Sequence, residues 1–127
     1  MRKREIIPFK LYFANYSKSW KNSGVAFVDT NTPGKTLGVA YLITREQLNH
    51  IHIEENGGNR ITERSWYKDL VELDPIDRYK AYTFTNKSVF PYNAPCDDYL
   101  DSIRSGLKEN YNNLSDAQIN AYIKTCN

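Results

Sequence analysis

The feature that most constrains this chain is the order of its two hydrophobic periods. A period of two dominates the first two-thirds, and a sustained period near 3.6 appears mainly in the last third. Within Ile6–Tyr16, Phe9, Leu11 and Phe13 share one face of an extended segment, with Lys10 and Tyr12 on the other. Gly24–Thr30 and Thr36–Thr44 flank the polar stretch Asn31-Thr32-Pro33-Gly34-Lys35, where Pro-Gly predicts a hairpin turn. Two more strands are predicted over Ser65–Leu73 and Arg78–Asn86, joined across Asp74-Pro75-Ile76-Asp77. Trp66, Asp69, Val71 and Leu73 do not alternate cleanly, so the register of the first of these is open.

Three helices are predicted. Thr44-x-x-Gln47 is a capping box and Asn56-Gly57-Gly58 a stop, which bracket a short helix. Pro95–Glu109 is a second, with Asp97 and Asp98 in its first turn, where the helix dipole favours negative charge. Its apolar stripe is Tyr99, Leu100, Ile103 and Leu107. Ser115-x-x-Gln118 caps a third helix running towards Lys124. Strands first and helices later predict an α+β fold. No repeat, linker or low-complexity segment divides the 127 residues, which are read as a single domain.

Composition removes several classes of function. Seventeen Lys and Arg against 15 Asp and Glu leave a net charge of +2, with no basic stripe to bind nucleic acid. A mean hydropathy of −0.67 and the lack of a long apolar run argue against a membrane span. The opening Met1-Arg-Lys-Arg-Glu5 has no apolar stretch behind it, so no secretory signal is read there and a cytoplasmic location is expected. Cys96 and Cys126, both read as reduced thiols, do not make a zinc set with His50 and His52, and no metal site is expected. Cys96 sits where a first helical turn lowers a thiol pKa, but Asp97 and Asp98 work against this. No G-x-G-x-x-G and no P-loop supports a nucleotide cofactor. Ten tyrosines stand out; aromatics of this kind suit half-buried strands or a pocket with an apolar body and polar tips.

One residue is locally inconsistent. At about 100° per residue, Leu48, Ile51 and Glu55 fall within about 60° of one another, with the carboxylate between the two apolar residues. Burial and the C-terminal end of the helix dipole would both raise the pKa of such a glutamate, as a general acid/base near neutral pH requires. The competing reading is that the helix frays at Asn56-Gly57 and Glu55 points into water. His52, on the edge of the same face, is by default a satisfied, half-buried side chain.

With Glu55 singled out, the chain from Phe9 onward resembles the γ-glutamylcyclotransferase-like family. Ser23-Gly24-Val25-Ala26 is similar to its Gly-x-Ala strand, and Leu37-Gly38-Val39-Ala40-Tyr41 to the strand that follows. Leu48, Ile51 and Glu55 match a helix ending in Glu-Gly, with Asn56 in place of the glycine and Gly57-Gly58 behind it. Tyr67 onward and Tyr82 to Asn86 match two later strands. Ala94-Pro95-Cys96-Asp97-Asp98-Tyr99, Ile103 and Gly106 keep the spacing of the family's Pro-Pro-Ser-x-x-Tyr block with two substitutions.

The resemblance implies a small mixed β-sheet or partial barrel with short helices. It implies an enzyme that cyclises a small γ-glutamyl amine or dipeptide to 5-oxoproline and releases the amine without cofactor or metal. Glu55 would be the general acid/base, and Tyr67, Tyr82 and Tyr99 would line the pocket. The family's first strand ends in a Tyr-Gly-Ser-Asn loop that has no counterpart here, and Tyr12-Phe-Ala-Asn-Tyr16 only echoes it. The chain thus reads as N-terminally shortened, with Met1-Arg-Lys-Arg near the end of the missing helix. An absent strand would leave a sheet edge open, so a homodimer or swapped assembly is expected. The alternative is a non-catalytic binding or interaction protein on the same fold, recognising a small ligand or a protein partner.

Overall fold

A computed structural model describes residues 2–126. Two long strands organise it: β1 (Arg2–Ser17) and β2 (Ser23–Tyr41) pair antiparallel along nearly their whole length, from Arg2 opposite Tyr41 to Ser17 opposite Ser23. The turn between them is a short 3₁₀ helix, Lys18–Trp20, followed by Lys21 and Asn22 in the left-handed region. The expected hairpin at Pro33-Gly34 is therefore corrected. Gly24–Thr30 and Thr36–Tyr41 belong to one strand, and the polar stretch between them is a bulge. One step along β1, Phe9 to Lys10, corresponds to four along β2, Pro33 to Asp29. The Asp29 carboxylate closes the bulge locally by accepting from the Asn31 amide (2.9 Å) and the Thr32 hydroxyl (2.8 Å). Gly34 is required there, because a Cβ would lie 2.8 Å from Lys10 Cα. Arg2–Arg4, read as the end of a lost helix, are strand; Met1 lies outside the described residues.

The second hairpin joins β3 (Asp69–Ile76) to β4 (Tyr79–Thr85). Its turn falls at Asp77-Arg78, with φ of 48° and 68°, the two left-handed residues that a tight hairpin turn needs. Asp74-Pro75 is instead a bulge in β3, where a missing N–H is tolerated. Both sheets are two-stranded and antiparallel, so the α+β class holds, and two ribbons stand where the resemblance implies a small mixed β-sheet or partial barrel. The Thr85 hydroxyl joins them, donating to the Val28 carbonyl at 2.6 Å.

The helices are α1 (Arg45–Glu55), α2 (Asp97–Asn110) and α3 (Asp116–Lys124), with reciprocal capping boxes at Thr44/Gln47 and Ser115/Gln118 as the sequence predicts. None is long and apolar enough to cross a membrane. Two apolar clusters form, one toward each end of the β1–β2 ribbon. Tyr12, Ala14, Val25 and Phe27 form one, with Trp20, Tyr67, Phe90 and Tyr99 packed against them. Leu107, Tyr111, Ile119 and Ile123 form the other, against Leu37, Leu100 and Ile103. Tyr12 and Phe13, on opposite faces of β1, are both buried, because each face of the mid-strand is covered.

The abundance of tyrosine now has a physical explanation. Backbone groups on β2 are taken by side-chain hydroxyls: Ala26 N–H by Tyr99 (2.9 Å), Ala26 C=O by Tyr67 (2.7 Å), Leu37 N–H by Tyr122 (3.0 Å) and Gly38 C=O by Tyr111 (2.7 Å). A tyrosine reaches across an apolar layer and ends in a group that both donates and accepts, so it can satisfy either kind of backbone group. At these positions β2 is no longer an open template for another strand, and the open-edge argument for a dimer has no support there.

Candidate functional site

At the Ala26 end of the ribbon is a cleft of about 770 Å³. One wall is the C-terminal end of α1 with the chain behind it, which contributes Glu54, Glu55, Asn56, Arg60 and Arg64; Trp20, Trp66, Tyr67 and Tyr99 supply aromatic surface. Behind this lining the buried Phe27 ring stacks on Tyr67 (centroids 4.6 Å apart, planes at 12°). Trp20 packs edge-on to Tyr99 at 5.0 Å.

The sequence singled out four residues, and the fold brings three of them together. Glu55, Tyr67 and Tyr99 all line the cleft. Tyr82 does not: it lies on β4 under the Arg45 guanidinium, 5.6 Å from its ring centroid, and this corrects its expected place in the pocket. Glu55 is exposed, so the burial expected from the helical wheel is absent. α1 packs only partly, with Leu48 and Ile51 half-buried, and its last turn opens onto the cleft.

Asn56, which the sequence offered only as a helix stop, fixes that last turn in place. Its side-chain amide pairs with the backbone of Tyr67 on both sides, accepting from Tyr67 N–H (2.9 Å) and donating to Tyr67 C=O (3.1 Å). His52 Nε2 lies 2.7 Å from the same carbonyl, which can only accept, so Nε2 carries the proton. The His52 ring also stacks on Phe84 at 4.9 Å. Its role is to hold α1 against the second hairpin, in line with the half-buried side chain read from sequence. An asparagine imitating a strand partner has no signature in sequence; only the fold brings residue 67 to residue 56.

Electrostatics keep both cleft phenols protonated. Burial raises the Tyr67 pKa far above the ordinary phenol value; the repulsion that would arise if Tyr99 and Tyr67 were both ionised, and the Glu55 charge, add to it. Burial likewise raises Tyr99; its hydrogen bond from Ala26 opposes this and Glu55 reinforces it. Tyr99 oxygen accepts from Ala26 N–H, which leaves its own proton available to a group in the cleft. Nearby, the Cys96 thiol is lowered, chiefly by the Ser23 hydroxyl and then by the Tyr99 amide. The Asp98 charge opposes this but does not cancel it, contrary to the balance expected from sequence.

Comparison with protein-family models, curated proteins and solved structures finds no match for this chain. The site therefore rests on its own geometry. Among the described residues no cluster of three or more His, Cys, Asp or Glu side chains is placed to hold a metal ion. A smaller hollow of about 310 Å³ lies at the other end of the ribbon, lined by Arg2, Lys3, Arg4, Val39, Glu109 and Asn110. Its cations are already engaged by Glu109, Asp77 and Asn113. The cleft beside Ala26 is the stronger candidate.

Proposed function

We propose that this cleft takes a small γ-glutamyl amine or dipeptide and acts as a γ-glutamylcyclotransferase, with Glu55 as general acid/base. The observation that carries the reading is the grouping of Glu55, a carboxylate with no ion-pair partner among the described residues, with the protonated hydroxyls of Tyr67 and Tyr99 in one aromatic-lined hollow. In the reaction, Glu55 takes a proton from the substrate's α-ammonium group. The freed amine attacks the γ-carbonyl carbon and a ring C–N bond forms. The ring nitrogen then gives up its second proton, and the bond to the leaving amine breaks as both protons pass to that amine, one of them returned by Glu55, so that it departs as an ammonium ion. The products are 5-oxoproline and the released amine. Because nucleophile and electrophile belong to one molecule, holding the substrate folded supplies much of the rate. The available Tyr99 proton suits the γ-carbonyl oxygen as charge develops on it.

A second reading, a non-catalytic binding protein on the same fold, is favoured by the exposure of Glu55. There the carboxylate pairs with a ligand ammonium group and no proton moves. The test is 5-oxoproline release from a panel of γ-glutamyl amines and dipeptides, wild type beside Glu55→Gln. The enzyme reading expects release that falls by roughly 10²-fold or more in the variant. Absence of release from folded wild-type protein across the panel would overturn it and leave the binding reading.

A further inference from the structure

The cleft carries charge of both signs that no ion pair among the described residues neutralises. Among the described residues, Glu55, Arg60 and Arg64 have no ion-pair partner, although all three line the same hollow. Neighbouring cations are engaged elsewhere: Lys21 with Asp98 at 2.8 Å, and Lys68 with Glu63 at 3.2 Å. The segment bearing the arginines is held locally. Thr62 N–H donates to the Ser65 hydroxyl (2.9 Å), Ser65 N–H to the Thr62 carbonyl (3.1 Å) and Arg64 N–H to the Thr62 hydroxyl (3.2 Å). Arg64 therefore projects from a braced turn.

An α-amino acid head group carries its ammonium and carboxylate on one carbon. With the ammonium at Glu55, the carboxylate needs a cation within the same hollow, and a guanidinium meets a carboxylate with two parallel hydrogen bonds. We propose that Arg60 and Arg64 form the carboxylate subsite of this cleft, so that it selects ligands with a free α-carboxylate beside a free α-ammonium group. This rests on the ligand class proposed above and assigns its recognition to two residues of the Asn56–Ser65 segment.

The experiment measures binding by calorimetry to the wild-type protein, which keeps Glu55 as the ammonium partner. The probes are L-2-amino-5-methoxypentanoic acid, which has no γ-carbonyl and cannot cyclise, and the same compound with its α-carboxylate converted to a carboxamide. The subsite predicts at least tenfold weaker binding of the carboxamide. Arg60→Ala and Arg64→Ala should each weaken the acid by about tenfold and narrow the difference between the two probes. Both positions are exposed, so these variants retain the fold, and their circular dichroism and melting should match the parent. Equal binding of the two probes overturns the subsite while leaving the cyclotransferase reading to the 5-oxoproline assay. Discrimination that persists when both arginines are replaced overturns their assignment. Failure of both probes to bind overturns the inference, whereas 5-oxoproline release in wild type would still uphold the reaction.

Discussion

The two ends of the β1–β2 ribbon are built by the same device and end differently. At Leu37 and Gly38, hydroxyls from α3 and the end of α2 take backbone groups of the strand, and the helices close over them. At Ala26, Tyr67 and Tyr99 do the same, but the layer above them is a short loop and the last turn of α1, and a cleft remains. The tyrosine–backbone bonds thus hold the fold at both ends and do not by themselves make a site. What distinguishes the Ala26 end is charge that has no ion-pair partner among the described residues, beside an aromatic lining.

The largest expected effect tests whether the two ends are independent. Phe27→Ala should destabilise the protein by about 3–5 kcal/mol and remove the ring that backs Tyr67 in the cleft lining, while Ile119→Ala should cost about 2–5 kcal/mol and leave cleft binding intact. Urea unfolding combined with probe binding checks this. Equal loss of binding in the two variants would mean that the ends form one cooperative unit. A smaller effect sharpens the contrast between a sealed and a solvated end. Tyr122→Phe leaves Leu37 N–H without its partner beneath the helices and should cost about 1–3 kcal/mol. Tyr67→Phe leaves Ala26 C=O beside an open cleft where water can replace the hydroxyl, so its cost falls toward the lower end of that range.

The most gradual effect is on alkaline stability. Folding raises the Tyr67 and Tyr99 pKa values, and burial pushes Tyr122 up to about 12. The folded state then holds these protons more tightly than the unfolded chain. The stability they confer is intact below the ordinary phenol value of 10.0 and declines as pH rises above it, through about 12 for Tyr122. Tyrosinate absorbance followed alongside unfolding should show these residues ionising only as the structure is lost. Ionisation of all ten near pH 10 in folded protein would contradict it.

Much of the helical content was legible because its signals are local. A capping box is two side chains answering two amides within four residues, and both boxes form where Thr44 and Ser115 predict them. The hairpin turns were misread for the opposite reason. Pro33-Gly34 has turn chemistry, but pairing with one long uninterrupted partner strand overrides it, and the excess residues become a bulge. At the site, Glu55 was found from a stripe that implied burial; the position lies in the cleft, while the burial is absent. Tyr82, expected in the pocket only from the resemblance, lies under Arg45 and does not line this cleft, because a matched spacing along a strand does not say what its side chain meets.

By itself the sequence determined the α+β composition, the helix starts, the stop behind Glu55 and the supply of tyrosines. Each depends on residues within a few positions of one another or on composition. Only the tertiary structure decided which backbone groups those tyrosines satisfy, that Asn56 pairs with Tyr67, and that Glu55, Arg60 and Arg64 share one hollow. Those are contacts between segments whose approach is set by packing around Phe27 and Ile119. No local propensity encodes such a distance, because it emerges only when both apolar clusters have closed.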